Sequence, residues 1–105
     1  MLFRSLERAT FGDRALAREV LGLFDRQAEK LLADVAAASE PRARSEVAHA
    51  LKGAALGVGA VALARAAEEI EAADDDPVAV IAALACLSAR VAEARLALAK
   101  LIAQS

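Results

Sequence analysis

Apolar positions along the chain recur in steps of three and four, the spacing that stacks side chains on one side of an α-helix. Between Asp13 and about Ala38, Leu16, Val20, Leu23, Leu31 and Val35 fall largely on one face, broadened by Phe24, Ala28 and Leu32. Arg14, Arg18, Asp25, Arg26, Glu29 and Lys30 take much of the remainder. A second run, from about Glu40 to Leu56, carries the stripe Val47, Leu51, Ala54 and Val58, and a third, roughly Ala60 to Ala73, aligns Leu63, Ala67 and Ile70. The last, Pro77 to about Ala103, has the cleanest spacing: Val80, Leu84, Leu87, Val91, Leu98 and Ile102. Residues 1–9 have the pattern of a short additional amphipathic helix, with Leu2, Phe3 and Leu6 on one side.

The interruptions are those that end and start helices. Gly12 breaks the pattern and Asp13 is placed to cap the first long helix. Ser39-Glu40-Pro41 offers serine as an N-cap and proline in the first turn, where its missing N–H costs nothing. Gly57-Val58-Gly59 weakens the second run, and Asp76 with Pro77 opens the last. Short connections between four helices predict an all-α, antiparallel up-down-up-down four-helix bundle, with the extra N-terminal helix laid across one end. The 105 residues suffice for one domain, 1–105, with one core; no repeat or linker divides them.

Composition narrows the class of function. Hydrophobic residues make up 58% of the chain, much of it alanine, the best intrinsic helix former, and aromatic residues only 3%. The 13 basic and 15 acidic residues are mixed along the chain, with no basic stripe, which argues against nucleic acid as a partner. Cys86 is the one cysteine, which excludes an internal disulfide and fits a reducing cytosol; its place between Leu84 and Leu87 predicts core or near-core packing. Charges near Met1 sit where a signal peptide would be apolar, and the uncharged runs Gly53 to Ala64 and Pro77 to Ala89 are shorter than the ~18 residues of a membrane span. A soluble cytoplasmic monomer, not bound to membrane, is the expectation. Asp74 to Asp76 reads as a solvated helix start rather than a metal site.

The one histidine, His49, is where chemistry concentrates. Each helical residue turns about 100°, so His49, two positions from both Val47 and Leu51, points away from their stripe. Its own face holds Ser45, Lys52, Gly53 and Leu56. A lone histidine is by itself a weak signal, more often a solvated residue than a functional one. Gly53, one turn on, strengthens it: glycine costs ~1 kcal/mol against alanine inside a helix, and a chain that uses alanine almost everywhere has accepted that cost here. Removing the side chain lets another molecule approach the imidazole, and Lys52 brings a positive charge to anything attached to it.

The set His49-x-Leu51-Lys52-Gly53, with Gly59-Ala60 after it, resembles the signature of histidine-containing phosphotransfer (HPt) domains. The resemblance extends over most of the chain, through Leu23-Phe24, Ala48 and the stretch Leu63 to Glu71. Leu56-Gly57 stands where many members have a small or polar pair, and Ala55 replaces a common serine, which removes a side-chain hydrogen bond from that turn. The resemblance implies a four-helix bundle that takes a phosphoryl group onto His49 from one receiver-domain aspartate and yields it to another. It implies Lys52 as the offset for phosphoryl charge, Gly53 as clearance, and response-regulator receivers with a sensor or hybrid histidine kinase as partners. The receiver would bring Mg²⁺, so this chain needs no cofactor of its own, and no kinase or nucleotide-binding motif is present. Docking is expected around His49, with Ser45 and Leu56, and with Gln27 and Lys30 of the first long helix at the level of the histidine.

Other classes compete. A phosphorylation-independent adaptor or inhibitor would use a bundle face while the histidine stays incidental. A kinase dimerisation hairpin is disfavoured because Ala50, rather than an acidic residue, comes after the histidine. A metal or haem site has no second ligand in view.

Overall fold

The computed structural model describes residues 13–103, and among them there are four helices and no strand. They are α1 (Arg14–Ala37), α2 (Pro41–Gly57), α3 (Val61–Ala73) and α4 (Pro77–Ala103). The expected helix over residues 1–9 and the break at Gly12 lie outside the described residues.

The helix ends are set by local chemistry. Asp13 caps α1 by accepting a hydrogen bond from Leu16 N at 3.0 Å. Ser39 does not cap α2: Glu40 is the N-cap, in an extended conformation and without a side-chain bond. Pro41 explains the shift, because its ring forces the preceding residue out of the helical region. Gly57 remains helical, and α2 is closed by Val58, Gly59 and Ala60, whose N–H groups return to the carbonyls of Ala55 and Leu56. Gly59 has φ 79°, a left-handed value that glycine adopts without strain. Asp76 caps α4 as expected, accepting from Val78 N and Ala79 N at 3.1 and 3.3 Å.

Each helix packs on its neighbours in sequence, and α4 returns to pack on α1. The core is formed by Leu21, Phe24, Ala28 and Val35 of α1, Ala48, Leu51 and Ala55 of α2, Leu63, Ala67 and Ile70 of α3, and Leu87, Val91 and Leu98 of α4. This corrects the face assigned to α1: Leu16 and Leu23 are exposed, and Leu21 is buried in their place. In α2, Val47 and Ala54 are half-buried while Ala48 and Ala55 are fully enclosed. Val80, Leu84 and Ile102 of α4 are likewise only partly covered. The cause is shared. Alanine signals no direction in a pattern dominated by large side chains, yet its size lets helix backbones approach, so alanines line the closest contacts. Cys86 is half-buried against the core.

Two arginines tie helices together. Arg95 of α4 donates from Nε to Asp25 Oδ1 at 2.7 Å and from Nη2 to Asp25 Oδ2 at 3.3 Å, with Glu29 Oε2 also at 3.3 Å. The hydrogen bond and charge of Asp25 raise the Arg95 pKa, so the group stays cationic. Arg44 of α2 donates from Nη2 to Ala38 O, at the end of α1, and from Nη1 to Asp74 O, at the end of α3, both at 3.2 Å. Asp74 has φ 49°, a left-handed conformation unusual without glycine, and its carbonyl is the one Arg44 holds. By length and composition α4 is apolar enough to cross a membrane, a length the uncharged runs alone did not suggest, although it also supplies Leu87, Val91 and Leu98 to the core.

Candidate functional site

His49 projects from the middle of α2 with 74% of its side chain exposed. The face holding it is open because Ala48 and Leu51, one and two residues away, turn into the core. Its Nδ1 lies 3.6 Å from Glu71 Oε1 of α3, an ion-pair distance slightly longer than a hydrogen bond. That carboxylate oxygen is shut off from solvent and has no hydrogen-bond partner. A buried, unpaired carboxylate oxygen is costly, and the imidazole N–H is the group placed to satisfy it. A proton on Nδ1 facing Glu71 leaves Nε2, on the other side of the ring, with a free lone pair.

One turn along, Lys52 Nζ lies 3.2 Å from Glu68 Oε1. The two pairs belong to one register. His49 and Glu71 stand eleven residues either side of Ala60, and Lys52 and Glu68 eight residues either side. Residue numbers that run in opposite senses about one turn are those of two antiparallel helices. Gly53 completes the face, and a Cβ built there would meet no atom within 4 Å, so the backbone is bare to solvent. Gly57, one turn further, is equally open.

The other expected site residues are distributed differently. Leu56 is exposed on α2 and Ser45 is half-buried there. Gln27 and Lys30 are exposed on α1, but Lys30 Nζ bonds to Asp34 Oδ2 of its own helix at 3.2 Å. Among the described residues, no hydrogen bond or ion pair joins either of them to His49; the histidine and lysine of α2 turn to α3 instead. Glu68 and Glu71 were not anticipated as site residues. The signal was present in their spacing of three, which mirrors that of His49 and Lys52 about the Gly59-Ala60 turn.

Chemically, the arrangement offers a nucleophilic ring nitrogen facing outward, a carboxylate to hold the ring's other proton, a nearby ammonium group, and uncovered backbone for a close approach. Comparison with protein-family models, with curated proteins and with solved structures returns no match.

Proposed function

We propose that the chain is a phosphocarrier of the histidine phosphotransfer type, an antiparallel up-down-up-down bundle that shuttles a phosphoryl group between receiver-domain aspartates in the cytoplasm. The observation that carries this reading is the exposed imidazole of His49 backed by the enclosed Glu71 carboxylate, beside Lys52 and the bare backbone of Gly53.

In the proposed step the Nε2 lone pair attacks phosphorus in line. An Nε2–P bond forms as the bond from phosphorus to the aspartyl oxygen breaks, and the aspartate leaves as a carboxylate. The ring keeps its proton on Nδ1 and becomes cationic, and Glu71 balances that charge. Return of the group reverses the exchange. Lys52 offsets charge on the phosphoryl oxygens, which requires it to move from Glu68. Mg²⁺ comes from the receiver, and a sensor or hybrid histidine kinase supplies phosphate to the relay upstream. The chain acts as a carrier rather than an enzyme, because positioning and charge neutralisation are all the transfer asks of it.

The test is incubation with a phosphorylated receiver domain. Acid-labile, base-stable phosphate should appear on the wild-type chain and be absent from His49→Gln. Phosphate-independent binding to a receiver, with no labelling of the chain, would instead mark an adaptor.

A further inference from the structure

The outer face of α4 is the least expected surface of the molecule. Val78 is 77% exposed, Ile81 70% and Leu96 59%. No charged residue occurs from Pro77 to Ala89. A helix segment apolar all round is normally covered all round, yet among the described residues α1 and α3 cover only one side of α4. Three of the four charged residues of α4 are engaged within the protein: Arg95 reaches α1, and Arg90 pairs with Glu93 at 3.2 Å, which leaves Lys100 near the end of the face.

We propose that this face is the interface of an antiparallel homodimer, in place of the monomer expected from sequence. The face is complementary to a second copy of itself. In a two-fold antiparallel pairing centred between Arg90 and Val91, two of the three large exposed side chains meet an alanine and the third lies along a lysine stem. Leu96 falls opposite Ala85 of the second copy and Val78 opposite Ala103, while Ala89 and Ala92 face each other at the centre, where the axes come closest. Ile81 meets the aliphatic stem of Lys100, whose ammonium group reaches past the edge to water. Shifting the register so that Val78 opposes Leu96 sets large against large and leaves the alanine stretches facing voids.

The dimensions agree. A 27-residue helix is about 40 Å long, and a helix pair along that length buries on the order of 500 Å² per copy, near the lower limit for a specific interface. An interface of that size belongs with weak, reversible associations. Because α2 packs on α1 and α3, and α4 on α3 and α1, His49 and this face occupy opposite corners of the molecule. Both histidines of the dimer stay open.

Sedimentation equilibrium of the whole chain from about 5 to 500 µM tests the proposal. The apparent mass should climb from 10.9 kDa towards twice that value. Leu96→Glu, at an exposed position, should hold the mass at the monomer value throughout with helicity unchanged. Ala85→Leu should weaken association at least tenfold although it makes the face more apolar, because it fills the space for the second copy's Leu96. A wild-type mass that stays at 10.9 kDa at the highest concentration overturns the proposal. So does an Ala85→Leu chain that associates more tightly, which indicates nonspecific adhesion. Monomeric wild-type chain that sediments with phosphatidylcholine vesicles, and loses that property in Leu96→Glu, also overturns it and assigns the face to lipid.

Discussion

His49 and Glu71 face each other across the α2–α3 groove, 3.6 Å apart, with the imidazole open to solvent and the facing carboxylate oxygen closed off from it. The asymmetry gives the ring one nitrogen that faces a carboxylate and one turned away from it. Substituting Glu71→Ala removes the acceptor facing Nδ1, so the ring samples both tautomers and more orientations. Transfer from a phosphorylated receiver is expected to slow about ten- to a hundredfold, with Glu71→Gln less affected because its amide oxygen still accepts. Rapid-quench measurement of label uptake checks this. Equal rates for Glu71→Ala and wild type would remove Glu71 from the mechanism.

Gly53 separates stability from activity. A methyl group there meets nothing in the protein, and alanine is the better helix former by about 1 kcal/mol. Gly53→Ala should therefore raise Tm by about 5 °C in thermal unfolding monitored by circular dichroism. In the same protein, transfer should fall by about tenfold, a barrier increase near 1.4 kcal/mol, because the added methyl stands where a partner must approach. A variant that gains stability with no loss of transfer would show that the bare backbone is not used.

Lys52 pairs with Glu68 at 3.2 Å, and the proposed carrier role requires it to leave that partner for a phosphoryl group on His49. The ion pair is partly exposed, so Glu68→Gln should change stability by less than about 1 kcal/mol. It should nevertheless lengthen the life of phosphohistidine severalfold by freeing Lys52, while Lys52→Ala shortens it. Half-lives of the isolated phosphoprotein provide the measurement, and the difference should shrink as salt screens the charges. Identical half-lives in all three proteins would mean that Lys52 does not reach the phosphoryl oxygens.

Arg44 joins the ends of α1 and α3 through two carbonyls. Arg44→Ala leaves both without that donor and should cost about 1–3 kcal/mol, read as a lower denaturation midpoint. Lysine has one donor group at a single point and cannot span both carbonyls, so Arg44→Lys should recover less than half of the loss. Full recovery by lysine would show that charge alone stabilises the two turns.

Helix positions were legible because they depend on neighbours in sequence. Asp13, Pro41 and the Asp76-Pro77 pair act within one turn, and the spans they delimit match the helices to within a residue or two. The outward direction of His49 was legible for the same reason, since rotation per residue is a property of the helix alone. The buried face of α1 was not. Leu16, Leu21, Leu23 and Phe24 distribute large side chains around much of the circumference, and only the neighbouring helices determine which of them are covered.

By itself, then, the sequence determined an all-helical chain, where its helices begin and end, and which way its one histidine turns, all through interactions a few residues long. The tertiary structure decided what that histidine meets. The separation of Glu71 and Glu68 from α2 by a turn hid them until α2 and α3 packed with Ala60 at their midpoint. It also decided which apolar side chains stay outside, leaving Val78, Ile81 and Leu96 uncovered, because burial is set by what packs against a helix and not by its own periodicity.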